Sequence, residues 1–167
     1  MGLDAVVFCD CVEKNRLKVP HPFPKLLFVE VNGSPEIRSK TSAKINEHDE
    51  WMALPPCQHE GMMVAGAYIG NATFVERVRY SLKVLLKPPP PRCPVLLGKV
   101  LYCGTHTGDH LTLAQVRRLA AELQQLKEFD LENTEISSTK LRSIRSVATK
   151  LRRLTNIALE IKKPIAF

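Results

Sequence analysis

Two short clusters, far apart in the chain, carry residue types that hold metal ions: Cys9-Asp10-Cys11 and Cys57-Gln58-His59-Glu60. Zinc takes thiolate and imidazole ligands in a tetrahedral shell, so Cys9, Cys11, Cys57 and His59 form a candidate Cys3His set. The spacing argues against it. Structural zinc sites usually place paired ligands two to four residues apart, whereas a single intervening residue on a strand leaves the two Cα atoms roughly 6.6 Å apart on one face. Such a pair chelates only where the strand bends or ends. Pro55-Pro56 puts Cys57 and His59 in a loop, where a one-residue gap is easier to accommodate. The competing reading, which the spacing favours, makes Cys9 and Cys11 small apolar core residues and His59 an exposed loop residue, since free cysteine is among the most buried residue types.

A second cluster, His106, Asp109 and His110, precedes a helix start. Backbone N–H groups and the positive end of the helix dipole gather there, and His with Asp supplies acid and base groups. The simpler reading, again favoured, is a loop in which Gly104 and Gly108 take positive φ and Asp109 satisfies turn amides. Cys103, Thr105 and Thr107 are nucleophile types without a nucleophile motif around them. If the two clusters met in space, Cys57, His59, His106 and Asp109 would resemble a metal-assisted hydrolytic site with Glu60 as general base. His21 and His48 are expected at the surface.

The elements that must position these groups follow from the pattern of apolar residues. Leu3 to Cys11 is an apolar, β-branched run and reads as a buried strand. Pro20, Pro22 and Pro24 make Glu13 to Pro24 a loop. Lys25 to Val31 reads as a second strand, and Asn32-Gly33 folds Glu36 to Arg38 back against it as a hairpin. A helix is expected from Ser42 to Leu54, ended by Pro55. Gly61 to Ile69 reads as a third main strand, with Ala65, Gly66 and Ala67 permitting close backbone approach.

Asn71 is a suitable N-cap for a helix carrying Phe74, Val75, Val78, Leu82 and Leu85 on one face. Pro88 to Pro91 ends that helix and reads as a stiff connector. Val95 to Cys103 is expected to be a fourth strand. Thr112 with Gln115 makes a capping box and Leu111 with Val116 a hydrophobic staple, so the next helix begins at Leu113 with Val116, Leu119, Ala120, Leu123 and Leu126 facing the core. After a polar break near Asp130 to Ser138, a long helix carries Leu141, Ile144, Val147, Leu151, Leu154, Ala158 and Ile161 at spacings of three and four, a pattern suited to packing along another helix. The expected fold is α+β: one domain over residues 1–167, with a sheet of about four strands packed with helices and the last two helices paired.

With 167 residues and 44% hydrophobic residues the chain can bury one core of ordinary size. No stretch approaches the roughly 18 apolar residues needed to span a bilayer, and the first residues lack a secretory n-region, so no membrane partner and a cytoplasmic location are expected. Five cysteines without regular spacing fit reduced thiols or metal ligation better than a disulfide framework.

The net charge of +7 is concentrated. Residues 137–163 hold eight basic side chains against the single acid Glu160, a surplus equal to that of the whole chain. At about 100° per residue, Arg142, Arg145, Arg152, Arg153 and Lys163 gather opposite Leu151 and Ala158 as a solvent-facing stripe. An acidic protein surface suits such a stripe. Nucleic acid fits less well, because the helix offers no aromatic residue for base stacking and no helix-turn-helix pattern.

The segments MGLDAVVFCDC, CQHEG, CGTHTGD and KPIAF together resemble an uncharacterised family of small bacterial proteins of this length. The resemblance implies no activity, but it marks Cys9, Cys11, Cys57, His59, His106 and Asp109 as positions to test. By association with small bacterial proteins of this size, it points to an immunity-type partner that neutralises a toxin. The function expected is therefore that of a cytosolic binding protein docking an acidic protein surface. A zinc-dependent hydrolase is the alternative, and a nucleic-acid accessory protein a weaker one.

Overall fold

A computed structural model describes residues 2–86, 93–102, 106, 108–128 and 136–167. The expected Pro88–Pro91 connector, the candidate nucleophiles Cys103, Thr105 and Thr107, Gly104 and most of the polar break before Ser138 lie outside the described residues.

The chain is α+β, as expected. Strand β1, Gly2–Phe8, buries Leu3, Ala5 and Val7 on one face and alternates with more exposed residues on the other. Strands β2, Leu27–Val29, and β3, Pro35–Ile37, form a separate antiparallel hairpin. Gly33 turns it with φ +93, a conformation that glycine adopts without steric cost. Helix α1, Ser42–Ala53, stops where Pro55 approaches. Strand β4, Met63–Asn71, pairs antiparallel with β1, setting Ala67 opposite Ala5 and Ala65 opposite Val7. Helix α2, Ala72–Leu85, is capped by Asn71, whose side-chain oxygen accepts the Phe74 N–H at 2.9 Å.

Residues 95–102, the described part of the strand expected over 95–103, depart from it. Leu96–Val100 is a short π-helical segment, and its cause lies elsewhere in the chain. The carboxylate of Glu122, buried on a later helix, accepts the N–H groups of Val95 at 3.0 Å and Leu96 at 2.8 Å. A strand would have needed a ladder partner for those donors; a helical turn capped by a buried carboxylate does not.

Strand β5, His110–Leu111, and strand β6, Ile165–Ala166, are too short to show in a pattern of apolar residues. Between them lie α3, Leu113–Glu128, and α4, Ser138–Ile161. The expected capping box is present at α3: Thr112 N–H donates to Gln115 Oε1 at 2.8 Å, and Gln115 N–H to Thr112 Oγ1 at 3.4 Å. The main sheet has the order β4-β1-β6-β5, all antiparallel. A sheet of about four strands was expected, and the main sheet has four, two of which, β5 and β6, were not among the expected strands.

Helices α2 and α4 pack on the β1/β4 face, and α3 packs along α4, so the last two helices are paired. Val116, Leu119, Leu123 and Leu126 of α3 and Ile144, Val147, Leu151, Leu154 and Ala158 of α4 are buried in this large core. A second, smaller core consists of Cys9, Cys11, Trp51, Cys57 and Met62, flanked by Val12, Leu17, Val19, Leu27, Met52 and Val64. Among the described residues, no helix is long and apolar enough to cross a membrane.

Candidate metal centre

Strand β1 ends at Phe8, which resolves the objection raised by the Cys9/Cys11 spacing: the two thiols sit beyond the strand. The chain there winds into a tight turn in which Lys14 N–H donates to Asp10 O at 2.9 Å and Arg16 N–H to Cys11 O at 2.8 Å. Asn15 adopts φ +50, a conformation that Asn tolerates better than most residues. The Asp10 side chain ties the turn together by pairing with Lys14 at 2.5 Å and with Arg16. The Lys14 ammonium, aided by the Arg16 guanidinium, holds the Asp10 carboxyl below the usual carboxylate range.

The second segment is docked on the first by backbone bonds. Cys9 N–H donates to Met62 O at 2.8 Å, and Lys18 N–H to Pro56 O at 2.7 Å. After His59 the chain makes a 3-10 turn over Glu60–Met62, with Gly61 at φ +53 and Met62 at φ +57. A left-handed methionine costs on the order of 1–2 kcal/mol. Met62 holds that conformation because its side chain is buried and its carbonyl is engaged by Cys9.

These two segments bring the four expected ligands together. The sulfurs of Cys9 and Cys57 lie 3.8 Å apart, and His59 Nδ1 stands 3.5 Å from Cys11 Sγ and 3.6 Å from Cys57 Sγ. All four donor atoms fall within 4.8 Å of one another, close enough to hold a metal ion. The three thiols are buried and His59 is half-buried. The His59 N–H also points at Cys57 Sγ at 3.4 Å, which orients that thiol within the group. With Nδ1 turned inward, His59 Nε2 faces the Gln58 side-chain amide at 3.5 Å, the position from which an outer partner fixes the tautomer of a ligating histidine.

Burial pushes the Cys9 thiol up to about 12, with Cys11 and Cys57 adding repulsion. The Cys11 thiol is also raised, chiefly by burial. Ionising such a cluster needs a compensating cation inside it.

The remaining candidates do not join this group. Glu60 is exposed at the start of its turn. His106 packs its ring against Tyr102 at 4.2 Å and Phe167 at 5.8 Å, with Nδ1 3.7 Å from Asp109 Oδ2. Asp109 accepts the Tyr102 hydroxyl, and this bond raises the phenol above its ordinary value. The register separates the two clusters. Val6 opposes Ala166, so Phe167 lies towards Ala5, whereas Cys9 is beyond the other end of β1, roughly 13 Å along the strand direction. A joint Cys/His/Asp hydrolytic site is therefore not assembled among the described residues.

Two expectations are corrected. Lys163 is not part of a solvent-facing stripe: it is 6% exposed and pairs with Glu13, in the turn after Cys11. The positive φ of Lys162, +57, swings the chain off the helix axis and turns Lys163 inward. Arg152 is only half-exposed and donates to Leu123 O at 3.4 Å, leaving Arg142, Arg145 and Arg153 exposed on α4. His21 and His48 are not surface residues either. They are 4% and 5% exposed and meet at 3.0 Å beside Trp51. Twenty-seven residues separate them, so no local pattern could have paired them; the flanking Pro20 and Pro22 signal a rigid loop without showing where it docks.

The fold and the site together define an α+β chain whose small second core contains a Cys3His cluster close enough to hold a metal ion. Comparison with protein-family models, with curated proteins and with solved structures finds no match.

Proposed function

We propose that the chain is a zinc-stabilised binding protein, in which Cys9, Cys11, Cys57 and His59 hold one structural zinc ion and the exposed face of α4 docks an acidic partner. The observation that carries the zinc assignment is the set of distances between donor atoms. Zinc–sulfur bonds of about 2.3 Å and zinc–nitrogen bonds of about 2.0–2.1 Å at tetrahedral angles require edges of about 3.8 Å between sulfurs and about 3.5–3.6 Å between sulfur and nitrogen. Three of the six separations match these edges, Cys9–Cys57 at 3.8 Å, Cys11–His59 at 3.5 Å and Cys57–His59 at 3.6 Å, and all four donor atoms lie within 4.8 Å of one another. Thiols that merely fill a core would have no reason to gather around an imidazole nitrogen.

The completeness of the set supports a structural role over the hydrolytic one. A catalytic zinc keeps a coordination position for water, and four protein ligands leave none. The exposed Glu60 then has no activated water to deprotonate. Binding is the remaining role, and Arg142, Arg145 and Arg153 supply its charge. Neutralising a toxin, as an immunity protein does, is one form of it.

Metal analysis of protein purified without chelator tests the proposal, with about one zinc per chain expected and none in Cys57→Ser. Folded wild-type protein lacking metal would overturn the zinc assignment. For the partner, replacing Arg142 and Arg153 by Glu is expected to abolish binding to an acidic protein; a salt-steep shift of nucleic acid abolished by the same change would replace the acidic partner with a phosphate backbone.

A further inference from the structure

Beside the metal centre, two buried histidines form a chain of hydrogen bonds whose protons can be placed by elimination. Phe23 N–H donates to His21 Nδ1 at 2.9 Å, so that nitrogen carries a lone pair. A neutral His21 must then bear its hydrogen on Nε2, which lies 3.0 Å from His48 Nδ1 and donates to it. His48 in turn must be bare at Nδ1 and protonated at Nε2. Both bonds exist together only when both rings are neutral. A proton added at His21 Nδ1 faces the Phe23 N–H donor. One added at His48 Nδ1 faces the His21 Nε2 donor, and rotating the His21 hydrogen to Nδ1 loses the Phe23 bond instead. Every proton taken up breaks one link.

The surroundings offer no compensation. His48 and Trp51 face His21 from α1, with Trp51 edge-on at 4.6 Å and its indole N–H donating to Val19 O at 3.0 Å. Phe23 faces His21 from the loop at 6.1 Å, and the Lys44 ammonium of α1 lies over the Phe23 ring at 5.4 Å, so it adds positive charge on that side. Among the described residues, no carboxylate stands within ion-pair distance of either imidazole. The links join α1 to the loop that precedes the hairpin, and Trp51 belongs to the small core that contains the metal ligands.

We propose that His21 and His48 form an acid-sensitive lock: when neutral they hold α1 on the Val19–Phe23 loop, and proton uptake releases it, opening the small core while leaving the large one folded. This device is independent of the zinc reading. Burial, with His48 acting in the same direction, lowers His21 below its ordinary 6.5. The stabilisation is therefore complete above pH 6.5 and is lost as the pH falls from 6.5 through the lowered folded-state value.

Trp51 is the only tryptophan, so its emission reports this region alone. In urea titrations between pH 7.5 and 5.0, its opening constant is expected to rise about tenfold per pH unit below 6.5 for each proton taken up. In H21Q the side-chain amide keeps one acceptor for the Phe23 N–H and one donor for His48 without a titrating site. That variant is expected to lose one proton's share of the slope, and an unchanged slope would overturn the lock. Zinc content followed in the same samples separates acid release of metal, which H21Q retains, from proton uptake at the lock. Long-range nitrogen-15 NMR of the wild-type protein needs no variant to fold. His21 protonated at Nε2 and bare at Nδ1 at pH 7.5 is expected; the opposite tautomer, or titration at or above 6.5, overturns the proposal.

Discussion

The large core, between β1/β4 and helices α2, α3 and α4, and the small core beneath α1 are built from different materials. In the first, leucines, isoleucines and valines from strands and helices along most of the chain interlock, with Leu119, Leu123 and Leu151 fully buried. In the second, three of the five buried residues are cysteines, and only Trp51 and Met62 are large. Full burial of a large apolar side chain is worth about 1.5–3 kcal/mol, so two of them offset little of the entropy of ordering the turns and hairpin around them. Small cores of this kind are held by cross-links, and the proposed zinc ion on Cys9, Cys11, Cys57 and His59 would supply one here, beside the bonded pair of His21 and His48. Area stabilises the large core, and specific chemistry stabilises the small one.

That contrast is tested most severely by removing the metal. A structural zinc contributes about 10–16 kcal/mol in small zinc-folded peptides, so chelation is expected to unfold the small core outright. Trp51 emission should shift to the red while far-ultraviolet circular dichroism retains the signal of α2, α3 and α4. Loss of both signals together would show that the cores are one cooperative unit. Because zinc takes cysteine as thiolate, reloading near neutral pH is expected to release protons from the ligand thiols, measurable in weakly buffered solution.

Next in size is Leu151→Ala, which leaves a cavity in the large core. A loss of about 2–5 kcal/mol is expected in urea unfolding followed by circular dichroism, with zinc content unchanged. Zinc loss in this variant would break the division between the cores.

Lys163→Met tests the bridge between them. Lys163 follows α4, and its partner Glu13 lies two residues after the candidate ligand Cys11. Glu13 is 45% exposed, so solvent screens the pair and the expected destabilisation is about 1 kcal/mol. Zinc affinity is expected to fall slightly as well, measured by competition with a chromophoric chelator; an unchanged affinity would mean that the bridge transmits nothing.

The smallest effect is that of Asn71→Ala. Removing the cap of α2 is expected to cost about 1 kcal/mol in the large core alone, with Trp51 unfolding at an unchanged urea midpoint.

Much of this architecture was readable from local pattern. Asn71, Thr112 with Gln115, Asn32-Gly33 and Pro55 each mark a boundary that the structure places within a residue or two, because a cap or a turn is decided by neighbours in the chain. The four candidate ligands were nameable as a set by residue type, while their spacing argued against them. Only the end of β1 at Phe8, and the bond from Cys9 N–H to Met62 O, turned that spacing into a compact site.

Other features had no local sign. Residues 96–100 are helical because a carboxylate more than twenty positions later accepts the first amides of the segment. β5 and β6 are two residues each and exist only by pairing.

The sequence alone determined the amphipathic faces, the helix ends, the concentration of charge in residues 137–163 and the chemical types available for a metal site, since each depends on composition or on contacts within a few residues. Tertiary structure decided which charges face solvent and which are buried, as for Arg153 and Lys163 ten residues apart, and which distant side chains meet, as for His21 with His48 and Cys9 with Cys57. Burial and long-range pairing depend on where the whole chain closes on itself, and no short stretch of sequence contains that information.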